Sequence, residues 1–210
     1  MNAATARITV LLLATAATAV AAQPGDELQQ RAERIAREAL IVDGHIDMPY
    51  QVHDDWADVS GPVPDNDFDA PRARAGGLDV PFMSIYLPPE TEITGEATAL
   101  ADRLIDLVEA QVARAPETFA LVTSADEAER AVADGRIALP MGMENGAAIA
   151  GDLDRLAHFH DRGIRYITLA HSKANHIADS SYDPVPVWQG LSPFGEELVP
   201  LLQTFTAHIS

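Results

Sequence analysis

The spacing of apolar positions along this chain switches repeatedly between a helical period and short continuous runs. Leu28, Ala32, Ile35, Ala36 and Ala39 recur at helical spacing and predict a helix from Asp26 through Leu40. The run Ala39-Leu40-Ile41-Val42 then predicts a short buried strand that ends in the turn Asp43-Gly44. Residues 51–75 are polar and carry Gly61, Pro62, Pro64 and Pro71, which predicts a long loop. Leu78 to Leu87 predicts a second strand, stopped by Pro88-Pro89. Gly95 to Ala115 is strongly amphipathic, with Leu100, Leu104, Leu107, Val108 and Val112 on one face.

The alternation continues. Phe119 to Val122 predicts a short strand. Ser124 with Glu127 three residues on is a capping-box signature, and the helix it opens ends near Asp134-Gly135. Ile137 to Met143 predicts a strand running into Glu144-Asn145-Gly146. Asp152 to Asp161 predicts a helix closed by Gly163, and Ile164 to Ala170 a strand running into His171-Ser172. Ser192-Pro193 opens a last helix through Leu202. Strands alternating with helices predict an α/β fold with a parallel sheet of about four or five strands. A (β/α)8 barrel needs eight strands and typically about 250 residues. The expectation is therefore either an open doubly wound sheet or part of a barrel.

The first segment breaks this pattern. Arg7 precedes the apolar and small-residue run Ile8 to Val20, and small residues follow at 19, 21 and 22. That layout predicts a signal peptide over residues 1–22, a mature start at Ala22 or Gln23, and export to the periplasm or medium. The remaining 23–210 reads as one domain. Its composition narrows the function. A formal charge of −18, with 14 basic residues against 32 acidic ones, argues against nucleic acid and against anionic membrane surfaces. With no cysteine, disulfides, thiolate ligands and a cysteine nucleophile are excluded.

Three places carry candidate chemistry, each at the C-terminal end of a predicted strand, where α/β folds build active sites. In Asp43-Gly44-His45-Ile46-Asp47, strand alternation points His45 and Asp47 to one side, an imidazole and a carboxylate suited to Zn²⁺. Alone, this spacing also fits a satisfied histidine beside a turn-forming aspartate. Glu144 ends the strand of Met141-Gly142-Met143, where an acid is costly unless paired or bound to metal. His171 follows Leu169-Ala170 and suits either a ligand or a donor to a developing oxyanion. Elsewhere, His158 and His160 lie two apart on a predicted helix and diverge. His53 lies in the polar loop and His208 in the tail.

Five blocks in order resemble the membrane (renal-type) dipeptidases. They are Val42 to Asp47; Asp69 to Tyr86 with Phe82-Met83-Ser84-Ile85-Tyr86; Gly142 to Gly146; Arg165 to Asp183 with Asn175 and Ala178-Asp179-Ser180; and Gly190 to Glu196. The resemblance runs from about Asp26 to Val199 and implies the N-terminal part of a two-zinc (β/α)8 dipeptidase. It implies that His45 and Asp47 hold the first zinc, that Glu144 bridges both, and that His171 acts at the scissile carbonyl of a dipeptide or short amide. It also implies a water activated by the metals as nucleophile. The family is often dimeric.

The family's two later histidine ligands, its arginine and its later aspartate have no counterpart before Ser210, so a cut-short barrel with an incomplete second zinc site and impaired activity is expected. Residues 200–210 depart from the family, and Pro200 is disfavoured inside the last helix. Two other functions remain open on the sequence: a catalytically inactive metal- or peptide-binding fragment, and a different amidohydrolase-type metalloenzyme.

Overall fold

The structure is a computed structural model that describes residues 24–206. The segment read as a signal peptide and His208 lie outside the described residues. The chain divides into two compact units, residues 1–35 and 36–210. Helix α1 (Pro24–Glu38) begins in the first, with acidic residues in its opening turn and Arg37 in its last, a charge order that complements the helix dipole.

The second unit alternates strands and helices. β1 (Val42–Ile46), β2 (Val80–Tyr86), β5 (Met141–Glu144) and β6 (Ile164–Thr168) form one sheet in that order, and every pairing is parallel. β3 (Phe119–Leu121) and β4 (Ile137–Leu139) form a second parallel pair. The expected single strand over 137–143 is thus two. Pro140 separates them because it has no N–H for a ladder, and its carbonyl accepts from Met83 N at 2.8 Å instead.

Strand alternation sorts the main sheet into two faces. Met83, Ile85, Leu87, Met141 and Met143 are fully buried in the principal core. That core includes the apolar stripe of α5 (Ala97–Arg114): Leu100, Leu104, Ile105 and Val108. Phe82, Ser84, Tyr86, Gly142 and Glu144 alternate with these residues and face the other way. Helix α6 (Ala125–Ala133) is capped as expected by Ser124 Oγ, which accepts from Glu127 N. Glu127 reaches back one residue further, to Thr123 N at 2.7 Å and Thr123 Oγ1 at 2.9 Å.

Three expectations are corrected. The polar loop over 51–75 contains the end of α2 (Met48–Asp54) and most of α3 (Ala70–Gly76). Pro49 in the first turn and the buried pair Met48 and Val52 start α2. Asp69 caps α3 by accepting from Arg72 N at 2.8 Å, with Pro71 in its first turn. His53 therefore lies on a helix rather than in a loop. Second, a short α4 (Glu90–Thr94) precedes α5. Third, β1 starts at Val42, where the apolar run ends, and is largely exposed rather than buried. Among the described residues it has one neighbour in the sheet, and Leu40 and Val42 are exposed. The last helix, α8 (Pro193–Thr206), runs through Pro200 and past Leu202, where the sequence ends it. Fully buried Leu198 anchors this helix to the core, which offsets the one backbone bond Pro200 cannot make. α7 (Asp154–Asp161) ends at Gly163 as the sequence predicts.

Candidate metal centre

His45, Asp47 and Glu144 come together at the C-terminal ends of β1 and β5. One ligand atom from each lies within 4.8 Å of the others. His45 Nε2 is 3.2 Å from Asp47 Oδ1 and 3.2 Å from Glu144 Oε2. His45 is the last but one residue of β1, and Asp47 follows the strand at the head of α2. Asp47 makes no side-chain cap to that helix, so its carboxylate is left for the cluster.

Glu144 is the least exposed member, its side chain 14% exposed. Ser84, fully buried on the neighbouring strand, donates to Glu144 Oε2 at 3.0 Å. The other oxygen, Oε1, lies 3.0 Å from His171 Nε2. His171 is not at a strand end as expected. β6 stops at Thr168, and His171 lies three residues further on, in the bend that follows. Tyr86 packs edge-on against its ring at 5.3 Å, and its Nδ1 is buried without a hydrogen-bond partner. Burial, then the charge of Glu144, raises the Tyr86 phenol above its ordinary value.

Tyr166 completes the near shell. It crosses Gly142, where any β-carbon would overlap the ring. Its hydroxyl donates to Gly44 O at 3.1 Å and lies 3.3 Å from His45 Nδ1. Burial, and after it Glu144, Asp47 and Asp43, push this phenol up to about 12. Tyr166 therefore stays neutral at physiological pH.

The backbone around Glu144 is fixed from behind. Asn145 has φ 75°, a left-handed conformation that costs a branched or bulky residue about 1–3 kcal/mol. Its side chain holds that conformation. Nδ2 donates to Leu87 O at 2.8 Å, while Oδ1 accepts from Ala147 N at 3.3 Å and Asn175 Nδ2 at 2.9 Å. Asn175 Oδ1 in turn accepts from Ile177 N and Ala178 N. Downstream, Asp179 receives backbone N–H groups from Val187, Trp188 and Gly190. Burial alone would raise its carboxyl, but these donors outweigh it and lower it overall.

The other histidines stand apart. His158 Nε2 pairs with Asp102 at 2.8 Å, and His160 lies 3.7 Å from Asp161. His176 Nδ1 meets Glu92 at 2.9 Å. The sequence singled out neither Ser84 nor Tyr166 as site residues, although both lie in the family-like blocks. The available signal was alternation, which puts Ser84 on the face of Glu144, and Gly142, which opens room for a large neighbour.

The donor set fits a divalent cation. Two carboxylate oxygens converge on one imidazole nitrogen, and a single N–H cannot serve both. An imidazole with two oxygen donors is an ordinary set for zinc. Residues 29–204 match the family model described as membrane dipeptidase, peptidase family M19. An uncharacterized dipeptidase of Schizosaccharomyces pombe is 28% identical over 186 residues, covering 81% of this chain and 46% of its own length. The dipeptidase ataJ of Aspergillus terreus is 30% identical over 165 residues, covering 73% of this chain and 40% of its own.

Among solved structures, the probable dipeptidase PvdM of Pseudomonas aeruginosa superposes with a TM-score of 0.74 at 23% identity, covering 87% of this chain and 48% of that one. A metallopeptidase of Rhodobacter sphaeroides, solved with a phosphinate mimic of the dipeptide L-Ala-D-Ala, gives 0.67 at 22%, covering 79% and 56%. The chain thus spans about half the length of the curated relatives it matches. With the family model matched across nearly all of its described length, the chain belongs to the membrane dipeptidase family.

Proposed function

We propose that this chain carries the first half of a zinc dipeptidase centre, built on the N-terminal part of a (β/α)8 barrel. The observation that carries this reading is the convergence of His45, Asp47 and Glu144 at the ends of parallel strands. In this reading His45 Nε2, Asp47 Oδ1 and Glu144 Oε2 hold the cation. Bound there, zinc supplies a Lewis acid and a water activated at neutral pH. Glu144 has a second oxygen, Oε1, which faces His171 Nε2 at 3.0 Å, and a carboxylate of this kind would be able to hold a second cation if further ligands were supplied. Ser84 holds the carboxylate in this orientation. His171, whose Nε2 faces Glu144 Oε1 at 3.0 Å, is the proposed donor to a developing oxyanion at the scissile carbonyl. Tyr86 keeps that ring in place.

A dipeptide or related short amide is the proposed substrate. The names of the curated relatives support this, as does the dipeptide mimic held by the Rhodobacter sphaeroides metallopeptidase. Among the described residues one such three-ligand group is present, so about one weakly held zinc per chain and slow turnover are expected of the 210 residues alone. Residues 1–22 are proposed to direct export.

The test is zinc per chain beside hydrolysis of a dipeptide panel. Zinc lost in His45→Ala and Asp47→Ala supports the assignment. Zinc content unchanged after removing both His45 and Glu144 overturns it.

A further inference from the structure

Tyr166 supplies none of the ligand atoms, yet it makes a hydrogen-bond contact on the far side of the His45 ring. Its phenol oxygen is 3.1 Å from Gly44 O and 3.3 Å from His45 Nδ1. The phenol has a single proton to give. A carbonyl oxygen has none, so the Gly44 contact is a hydrogen bond only if Tyr166 donates it. The second contact is then satisfied in one way: His45 Nδ1 carries a proton and donates it to the phenol oxygen. That leaves the Nε2 lone pair aimed between Asp47 Oδ1 and Glu144 Oε2, each 3.2 Å away. Two carboxylate oxygens and a lone pair repel one another unless a cation or a proton lies among them.

We propose that Tyr166 is a positioning residue for the metal centre, fixing His45 in the tautomer that presents Nε2 to a divalent cation. The inference rests on the reading of His45, Asp47 and Glu144 as a metal site. It assigns the chain's own protons: Nδ1–H to Tyr166 and the Tyr166 hydroxyl to Gly44. Two features keep the phenol available for this. Gly142 leaves the space through which the ring passes. Phe82 packs against the ring at 5.5 Å. Outer partners that orient a ligating histidine in this way typically change metal affinity by roughly 10–100-fold when lost.

The experiment compares the 210-residue chain with its Tyr166→Phe variant, which keeps the ring and removes only the oxygen. Zinc alone is titrated against a competing chelator. Nitrogen-15 NMR of labelled histidine reports which ring nitrogen of His45 binds zinc, and thermal unfolding is followed with and without zinc. The expected results are zinc on Nε2 with Nδ1 protonated in the wild type, and affinity weakened roughly tenfold or more in Tyr166→Phe. A purely structural role would lower the unfolding midpoint equally with and without zinc, whereas a positioning role widens the gap when zinc is present. Equal zinc affinity in the two proteins, or an equal drop in both midpoints, overturns the inference and leaves the metal site standing. So does coordination through Nδ1 in the wild type, a result that decides the matter even if the variant does not fold. Absence of zinc binding by the wild-type chain overturns the metal reading itself, and this inference with it.

Discussion

The ring of Tyr166 occupies the space that a side chain at Gly142 would fill. Gly142 thereby governs whether the phenol reaches His45 at all. Gly142→Ala is expected to push the ring aside, costing about 1–3 kcal/mol of stability through overpacking. It should weaken zinc binding as well. Urea unfolding and chelator competition measure the two effects separately. Native zinc affinity in a destabilised Gly142→Ala protein would show that the ring's path does not matter to the site.

Glu144 and its two neighbours separate metal binding from chemistry. Glu144→Gln should lose most bound zinc, because the neutral amide gives up the charge that faces His45. Ser84→Ala removes a buried hydroxyl that donates to Glu144 Oε2, with an expected cost of about 1 kcal/mol and a smaller loss of zinc affinity. His171→Ala should leave zinc content near that of the parent and lower turnover. Zinc analysis of the three variants side by side checks the order, and full zinc retention in Glu144→Gln would contradict it.

The N-terminus of α6 predicts an acid-sensitive contribution to stability. The backbone N–H of Thr123, followed by its hydroxyl, holds the Glu127 carboxyl below its ordinary value of 4.5. A carboxyl lowered in the folded state stabilises the fold above its unfolded pKa, and that contribution is lost as pH falls through the folded value. Glu127→Gln should therefore be less stable than the parent near neutral pH. The difference should shrink below pH 4.5. Denaturant midpoints measured from pH 7 down to pH 3 test this, and a gap that is constant with pH would rule it out.

Among the described residues, β1 and β6 each have one partner in the main sheet. β1 also exposes Val42 beside exposed Leu40. An open parallel edge with uncovered apolar side chains invites pairing with another chain. The isolated chain is expected to self-associate with rising concentration and to bind a hydrophobic dye. A monodisperse monomer with one sharp thermal transition across a hundredfold concentration range would refute this.

Export is tested at the N-terminus. Chain recovered from the periplasm or medium should begin at Ala22 or Gln23. A membrane-bound product that retains Met1 would refute cleavage.

The members of the candidate cluster were legible because each stands near where an apolar run stops, a position at which an ionisable side chain has few uses besides chemistry. Strand alternation suggested one side for His45 and Asp47, and the strand end singled out Glu144. The residues that orient them were not legible in the same way. Ser84 reads as the ordinary polar half of an alternating strand, and Tyr166 as a β-forming aromatic, because their contacts cross between strands. The seven-residue helices α2 and α3 are too short for periodicity to register against surrounding prolines. Their caps and first-turn prolines were the available cue. The exposure of β1 depends on having one neighbour, a property of the sheet that no local pattern encodes. Gly195, within a family-like block, is explained only by the fold: a side chain there would overlap the carbonyl of Ile177.

Pro140 divides one run of chain between two sheets, and this makes the outer pair a ruler for the inner site. Ile137, Ala138 and Leu139 take their alignment from Phe119, Ala120 and Leu121. With one proline between, that alignment decides which residue arrives opposite Tyr86 four steps later, and in this fold it is Glu144. Displacement by a single residue would turn Met143 toward His45 and send the carboxylate into the methionine-rich core. Insertions between Pro140 and Glu144 should therefore abolish the centre. Insertions at the Asp134-Gly135 turn lie upstream of the outer pairing and can be absorbed before the count begins. The tolerance of the chain to length changes is thus expected to jump sharply on crossing Ile137, although the two regions are separated by only a few residues.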